Sequence, residues 1–235
     1  MSQLRIKIIA ISILSLSSAL LLSGQEAIKM NLSHYKLSEP PFVIAETRFP
    51  GKAIGFPNPP TLFAISVKML SHKKVLGPED VISYEVSIKN VSNAPIDVPI
   101  EPDFNKLGFD QNESISYRIM DIDMELNRDK ASLVLGNAIR LYGMATRPST
   151  LVHLMSGQWI TLEGRTRAYI RNSSDNARTH IFNQPSLLQA EIIMSKAELT
   201  RNNGELQQHL FFEDAPQIQS GKNPEITFRI AKSSD

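Results

Sequence analysis

The chain has 235 residues and no cysteine, and its 25 Lys and Arg nearly balance its 24 Asp and Glu, giving a formal net charge of +1 at pH 7. So small a net charge creates no field that would attract nucleic acid or an anionic membrane surface, and we expect neither as a partner. The absence of cysteine excludes disulfide frameworks, zinc–thiolate sites and thiol catalysis.

The first 24 residues are typical of a secretory signal peptide. Arg5 and Lys7 make a basic start, an apolar run extends over 8–22, and two small residues, Ser23 and Gly24, follow it. Retention as a membrane anchor is the alternative, but the run is shorter than the roughly 18 to 20 residues that a spanning helix needs. The pattern therefore predicts export to the periplasm, the cell surface or the exterior, with no membrane span after cleavage.

Cleavage would leave a mature chain that begins near Gln25, has a net charge of −1 and is long enough for one domain. An exported chain without cysteine suits a bacterial periplasm or exterior better than an animal cell surface. Residues 25–60 are rich in proline, which forbids a helix and disfavours a central strand. We predict a lead-in arm or linker there, with room for one edge strand, and a folded domain over 61–235.

From residue 61 onward, apolar and polar residues alternate with the period of two that half-buried antiparallel strands show. The segment 81–89 is the clearest example, because Ile82, Tyr84, Val86 and Ile88 fall on one face and polar residues fall on the other. The alternation predicts an all-β protein, specifically an antiparallel β-sandwich. Shorter patterns, separated mostly by glycines, predict further strands at 62–69, 96–100, 115–125, 132–135, 138–142, 159–162 and 225–230.

Three segments have less decisive patterns. Residues 186–200 fit a strand or a helix, and we favour the strand. Residues 172–176 are polar and predict an exposed hairpin loop. Trp159 opens a predicted strand with Ile160 and Leu162, so we expect it to be buried between two sheets rather than exposed for binding.

One stretch, Tyr-Glu-Val-Ser-Ile-Lys-Asn-Val-Ser-Asn-Ala-Pro-Ile at 84–96, resembles a strand and turn found in bacterial extracytoplasmic immunoglobulin-like domains. BsuPI-type proteinase-inhibitor domains and adhesin accessory domains carry comparable strings, and the resemblance implies an immunoglobulin-like β-sandwich. From the residues themselves, we predict that the Asn90 side chain caps the turn, that Pro95 fixes the backbone where the chain re-enters, and that Ile96 returns to the core.

The segment 121–125 holds the strongest candidates for chemistry, Asp121, Asp123 and Glu125. Alternate residues of a strand project from one face about 7 Å apart, so the three carboxylates should form a row with the apolar residues between them buried behind it. Such a row could serve a retaining glycosidase or a calcium site. We favour the third interpretation, the solvated outer face of an ordinary strand.

The same segment resembles the Glu-x-Asp-x-Glu signature of the jelly-roll β-glucanases, which are secreted all-β enzymes. The resemblance implies a nucleophile at Asp121 and a second catalytic carboxyl group at Glu125. This chain departs from the signature at its first position, where Asp121 is one methylene shorter than glutamate. It also has a single tryptophan, Trp159, to serve as an aromatic platform for sugar.

The histidines show no spacing typical of a metal site, and no P-loop, dinucleotide-binding or nucleophile-elbow motif occurs, so we expect no cofactor. We predict a non-catalytic binding or structural domain that contacts a protein or an envelope polysaccharide through loops at one end of the sandwich. A β-glycosidase using Asp121 and Glu125 is the first alternative, and a domain stabilised by calcium at Asp121, Asp123 and Glu125 is the second. The five histidines are His34, His72, His153, His180 and His209.

Overall fold

The computed structural model describes residues 28–35, 61–78, 80–108, 114–145, 147–167, 170–171, 174–202, 205–213 and 217–229. The predicted signal peptide and most of the predicted lead-in arm lie outside these residues. The described chain is mostly β-strand, which confirms the all-β prediction. In this part of the chain, no helix has both the length and the apolar character needed to cross a membrane.

Strands make up most of the described chain, with one α-helix and two short 3-10 helices between them. The 3-10 helices are Phe104–Leu107 and Pro148–Thr150, and the α-helix is α1 (Asp175–Ile181). The strands are β1 (Ile28–Asn31), β2 (Phe63–Met69), β3 (Val75–Leu76), β4 (Val81–Asn90), β5 (Ile96–Pro99), β6 (Ile115–Arg128), β7 (Ala131–Met144), β8 (Leu151–Leu154), β9 (Trp159–Arg167), β10 (Ile170–Arg171), β11 (Pro185–Asn202), β12 (Glu205–Glu213), β13 (Gln217–Gln219) and β14 (Glu225–Phe228).

The first sheet has the strand order β1-β9-β4-β2-β13. Its three central strands are antiparallel, whereas β1 and β13 pair in parallel with their neighbours at the two edges. On β4, Ile82, Tyr84, Val86 and Ile88 are all buried, while the residues between them are exposed or half-buried. The predicted alternation is therefore confirmed. The edge strand β1 lies within the predicted arm.

The second sheet has the order β10-β7-β6-β11-β14-β3 and is built around the three long antiparallel strands β6, β7 and β11. The beginning of β11 pairs with β14, and its end pairs with β12. Strands β5 and β8 form a separate two-stranded sheet. The described residues thus contain two large sheets and one small one.

Both large sheets contribute side chains to one hydrophobic cluster. It contains Val86 and Ile160 from the first sheet and Met120, Leu141 and Leu188 from the second. Burial of these side chains supplies most of the driving force for folding, at about 25 cal/mol for each Å² of apolar surface removed from water. This cluster therefore lies between the two large sheets, and a second, smaller cluster packs the first 3-10 helix against β6, β7 and β11.

Strand β13 also joins the two large sheets through its glutamines. The Gln217 side chain accepts a hydrogen bond from the backbone amide of Ile192 at 3.1 Å, and the Gln219 side chain donates to the carbonyl of Ala190 at 2.8 Å. Both backbone groups belong to β11 of the second sheet. These two residues of β11 lie between the stretch that pairs with β14 and the stretch that pairs with β12. The edge of the first sheet thereby supplies hydrogen-bond partners for their backbone groups.

The sequence predicts separate strands at 132–135 and 138–142 with a turn at Gly136-Asn137 between them, which is wrong, because β7 continues through both residues. The register between β6 and β7 shifts by two residues here, since Ile122 faces Ile139 whereas Met124 faces Leu135. The extra residues of β7 form an irregularity inside the strand and do not end the strand. Glycine is common at such irregularities.

The tertiary structure also decides the conformation of two other segments and the burial of Trp159. The predicted hairpin loop at 172–176 is wrong over 174–176, because Ser174 accepts a hydrogen bond from the Ala177 amide and begins α1, while 172 and 173 lie outside the described residues. The uncertain segment 186–200 is strand, as we favoured, and pairs with β6 along most of its length. Trp159 was predicted to be buried, but it is only half-buried and is not part of the core cluster that contains Ile160 and Leu162.

Candidate functional site

The three predicted acidic residues lie on β6 in the middle of the second sheet. Met120, Ile122 and Met124, which alternate with them, are buried in the core, as predicted. The acidic residues differ in exposure: Asp123 is buried, with 7% of its surface exposed, whereas Asp121 and Glu125 are half-buried. The interpretation as a solvated strand face is therefore wrong for Asp123.

Asp121 is engaged by a cation from the neighbouring strand. The Arg140 Nε and Nη2 atoms donate hydrogen bonds to Asp121 Oδ1 and Oδ2 at 2.6 and 3.2 Å. Burial alone would lower the pKa of Arg140, but the hydrogen bond and charge of Asp121 raise it above the ordinary value. Both oxygens of the predicted nucleophile are thus occupied in a two-pronged ion pair.

Glu125 belongs to a polar network that crosses three strands. Its carboxylate accepts a hydrogen bond from the Ser132 hydroxyl at 2.9 Å and from the Asn127 side chain at 3.3 Å. Asn127 also donates to the Gln189 side chain on β11 at 2.7 Å. The network links β7, β6 and β11, so Glu125 contributes to cross-strand pairing.

Sequence reasoning missed a fourth acidic residue, Glu191, which faces Asp123 directly across β6 and β11. The pKa of Glu191 is raised to about 7, first by loss of solvation, then by a hydrogen bond with Glu125 and the charges of Glu125 and Asp123. No local signal identifies Glu191 or Arg140, since only the strand register brings them beside the acidic row, defined here as Asp121, Asp123, Glu125 and Glu191.

The acidic row provides no ready-made metal site. Among the described residues, no group of three or more His, Asp or Glu side chains is arranged to hold a metal ion. Of the five histidines, His34, His72, His153 and His180 are exposed. His153 contacts Asp97 at 2.7 Å, well away in sequence from the row.

Asn90 organises a second region, at the end of β4. Its side-chain amide donates to the carbonyls of Ala94 and Leu154, both at 2.8 Å, and its carbonyl accepts from the backbone amide and hydroxyl of Ser92. Asn90 is fully buried, and these contacts use both of its donors and both lone pairs of its oxygen. The predicted capping role is confirmed, and Ile96 packs against the core as expected.

The same residue joins the turn after β4 to the turn before β9. The backbone amide of Asn90 donates to the backbone carbonyl of Gln158 at 2.9 Å, and the backbone amide of Gly157 donates to the backbone carbonyl of Asn90 at 2.8 Å. These turns expose two apolar side chains, Met155 at 50% and Val91 at 37%. We call residues 90–95 and 155–158 the loop end. Hydrogen bonds of the buried Asn90 join its two turns.

No protein-family model matches this chain. No curated protein matches it either. The sporulation control protein Spo0M from Bacillus subtilis is similar over 72% of this chain and 50% of its own, at 9% identity and a TM-score of 0.23. A β-glucosidase from Listeria innocua is similar over 71% of this chain and 16% of its own, at 12% identity and a TM-score of 0.21.

The β-glucosidase EmGH1 of Erythrobacter marinus gives a comparable result. The likeness extends over 65% of this chain and 15% of that enzyme, at 13% identity and a TM-score of 0.22. The chain spans half the length of Spo0M and about a sixth of the two glucosidases. Similarities at this level carry no argument about function, so the function must be inferred from the site itself.

Proposed function

We propose that the protein is an exported immunoglobulin-like β-sandwich that works by binding, and that its loop end engages a protein or an envelope polysaccharide. The observation that carries this proposal is the buried Asn90, which fixes two adjacent turns in one conformation. A surface that is ordered before binding loses less conformational entropy when its partner arrives. The sandwich assignment is supported by the large hydrophobic cluster to which both large sheets contribute.

The loop end has the composition of a small binding surface. Met155 and Val91 are exposed apolar side chains on a rigid support, and Trp159 is half-buried at the start of β9, where it faces Lys89. Aromatic residues and methionine are enriched in interfaces, because they provide a large contact area. Export rests on the signal-like pattern of the first 24 residues.

The acidic row supports a structural role for the residues that resemble a glycosidase signature. Arg140 occupies both oxygens of Asp121, and Glu125 bonds to two neighbouring side chains. Ion pairs and hydrogen bonds across neighbouring strands stabilise a sheet, so these contacts give both carboxylates a role without catalysis. The ion pair therefore favours binding over hydrolysis.

Thermal unfolding of the purified chain tests the proposal, because a ligand that binds only the folded state raises the midpoint. The panel contains envelope polysaccharides, β-glucans and calcium, and a pull-down from envelope extract covers protein partners. Met155→Ser should abolish the binding detected. Val81→Ser is the matched control, since Val81 is comparably exposed, at 43%, and lies at the opposite end of β4 from Asn90. An equal loss of binding in both variants would reject the loop end as the binding surface.

One observation favours the glycosidase as a second candidate. The raised pKa of Glu191, about 7, is what a general acid needs. The enzyme candidate predicts release of reducing ends from a β-glucan, lost in Asp121→Asn. Calcium stabilisation, the other alternative, predicts a midpoint that rises with millimolar calcium and returns with chelator.

A further inference from the structure

The outer side of the first sheet, which faces away from the core, carries the single tryptophan of the chain. The residues of β4 that alternate with the buried ones lie on this side, and Lys89 is the last of them. Trp159 faces Lys89 across β4 and β9, so it lies on the outer side too, and it is half-buried. The alternation explains why its neighbour Ile160 belongs to the core cluster and Trp159 does not.

Small hydroxyl side chains continue the surface beside Trp159. Thr161 is the next residue of β9 on the outer side, and it faces Ser87 on β4, which in turn faces Ser66 on β2. The hydroxyl groups of Ser87 and Thr161 lie 3.2 Å apart and hydrogen-bond to each other. A hydroxyl group can donate one hydrogen bond and accept two, so this row can also bond to a ligand.

Two lysines flank the same surface, one on each side of β9. Lys89 faces Trp159 from β4, and Lys29 faces Thr161 from β1. Neighbouring strands lie about 4.8 Å apart, less than the length of a lysine side chain, so both ammonium groups can reach a ligand over β9. Both lysines are exposed, and neither forms an ion pair with another residue that the structure describes.

Acidic residues enter the outer side only in the next row of the sheet. Glu163 is the following outer residue of β9, and it accepts a hydrogen bond from the side chain of Asn31 at 3.3 Å. It faces Glu85 on β4, which is faced on its other side by Lys68 of β2. The loop end, which adjoins Trp159, contains no charged residue. We call the following residues the tryptophan face: Lys29, Ser66, Ser87, Lys89, Trp159 and Thr161.

A ligand for the tryptophan face should combine an apolar surface, hydroxyl groups and negative charge. The tryptophan ring offers a large flat apolar contact, and a sugar ring has a face of C–H groups that can pack on it. Sugar hydroxyl groups match those of Ser87 and Thr161, which donate and accept. Carboxylates complement the two lysines, and such complementarity gives specificity. An acidic polysaccharide meets all three requirements.

We propose that the tryptophan face binds an acidic polysaccharide, with a sugar ring on Trp159 and carboxylates at Lys89 and Lys29. The choice of a polysaccharide rests on the proposed function, whose loop end this surface extends along the sheet, whereas the charge of the ligand rests on the two lysines. Single-stranded nucleic acid also combines rings with charge, but it binds along positively charged grooves, and this chain is nearly neutral.

The fluorescence of Trp159 reports on this surface directly, because the chain has no other tryptophan. Titration of the purified chain with trigalacturonate should change the emission, and binding should weaken as salt is added. Maltotriose is the neutral sugar of equal length, triglutamate supplies carboxylates without a sugar ring, and a thymidine trinucleotide represents nucleic acid. Each should bind about tenfold more weakly than trigalacturonate, the loss expected for one charge-assisted contact or its equivalent.

Lys29→Gln and Lys89→Gln should each weaken trigalacturonate binding about three- to tenfold, between the effects of an exposed ion pair and of a charge-assisted hydrogen bond. Lys68→Gln and Arg165→Gln are the matched controls, because both are exposed cations on the outer side but lie beside or beyond the two glutamates. Charges at that distance are largely screened at about 0.15 M salt, so the controls should bind like the parent.

The outcomes separate this inference from the proposed function. Trigalacturonate binding that calorimetry detects, but that leaves the Trp159 emission unchanged and survives both lysine variants, would overturn the tryptophan face and leave carbohydrate binding intact. Equally tight binding of triglutamate or the trinucleotide would overturn the sugar, and equally tight binding of maltotriose would overturn the acidic ligand. Absence of trigalacturonate binding would overturn the inference, whereas another ligand whose binding is lost in Met155→Ser would still support the loop end.

Discussion

The side chain of Asn90 donates a hydrogen bond of 2.8 Å to the backbone carbonyl of Leu154, a residue 64 positions further along the chain. This contact ties the end of β4, in the first sheet, to the end of β8, in the two-stranded sheet. It converts a local turn motif into a long-range constraint. The two turns of the loop end depend on it together.

We expect Asn90→Ala to lower the free energy of unfolding by more than about 2 kcal/mol, because each buried polar group left without a partner costs about 1 to 3 kcal/mol. Urea denaturation measures the change. Asn31→Ala is the matched control: Asn31 makes the same contacts to Ser33, at 3.0 and 2.6 Å, but is exposed. An equal loss in both variants would contradict the special role of Asn90.

Gly164 lies directly opposite Tyr84 on β9 and β4, and the tyrosine side chain covers it. A Cβ atom at Gly164 would lie 2.6 Å from the Tyr84 hydroxyl oxygen and 2.8 Å from the adjacent ring carbon. We therefore expect Gly164→Ala to destabilise the protein by about 1 to 3 kcal/mol through overpacking.

Thermal denaturation of Gly164→Ala and Gly77→Ala provides the comparison for that prediction. A Cβ atom at Gly77 would meet only Asp80 Oδ2, at an ordinary distance of 3.7 Å. The Gly77 variant should melt within a few degrees of the parent, and the Gly164 variant clearly below it. Equal midpoints would show that the Tyr84 ring can move aside.

The pair formed by Asp121 and Arg140 should contribute measurably to stability. Removing one partner by Asp121→Asn should cost about 1.5 to 3 kcal/mol, because the bonds are charge-assisted and only 18% of the Asp121 side chain is exposed. The more exposed pair of Lys73 and Asp80 is the control, and Lys73→Gln should cost clearly less. A double-mutant cycle with Arg140→Gln would refute the pairing if the coupling were zero.

Glu191 should make stability depend on pH. Its pKa in the folded protein, about 7, exceeds the ordinary value of 4.5, so the folded state favours the protonated form. Stability should therefore fall as pH rises from about 4.5 to 7 and stay lower above that. Glu191→Gln, which keeps a hydrogen-bond donor but cannot ionise, should be more stable than the parent above pH 7.

We expect that gain to be less than about 1 kcal/mol, because Glu191 is exposed and solvent screens its charge. Urea denaturation at pH 5 and pH 8 measures it, and the two proteins should differ less at pH 5. Glu191→Ala, which removes the hydrogen bond as well, should lose stability relative to Glu191→Gln at both values. A constant difference between parent and Glu191→Gln would refute the raised pKa.

Local sequence patterns were sufficient to predict the structure where it depends only on which face of a strand is buried. The alternation on β4 predicted which of its side chains are buried. The cap at Asn90 could be predicted because its partner in the structure, Ser92, is only two residues away. The same reasoning identified the acidic residues of β6 as candidate site residues, but it did not identify Arg140 or Glu191. Those two come from strands that are distant in sequence, and a period of two says nothing about register between strands.

The amino-acid sequence by itself determined the all-β class, the strand positions with strong alternation and the conformation of the Asn90 turn. These properties depend on contacts between residues a few positions apart. Only the tertiary structure decided that β7 continues through Gly136, that Ser174 begins a helix, that Trp159 lies outside the core and that Arg140 engages Asp121. Each of these results depends on which strand lies beside which, and that choice is made by the burial of whole faces and not by any single segment.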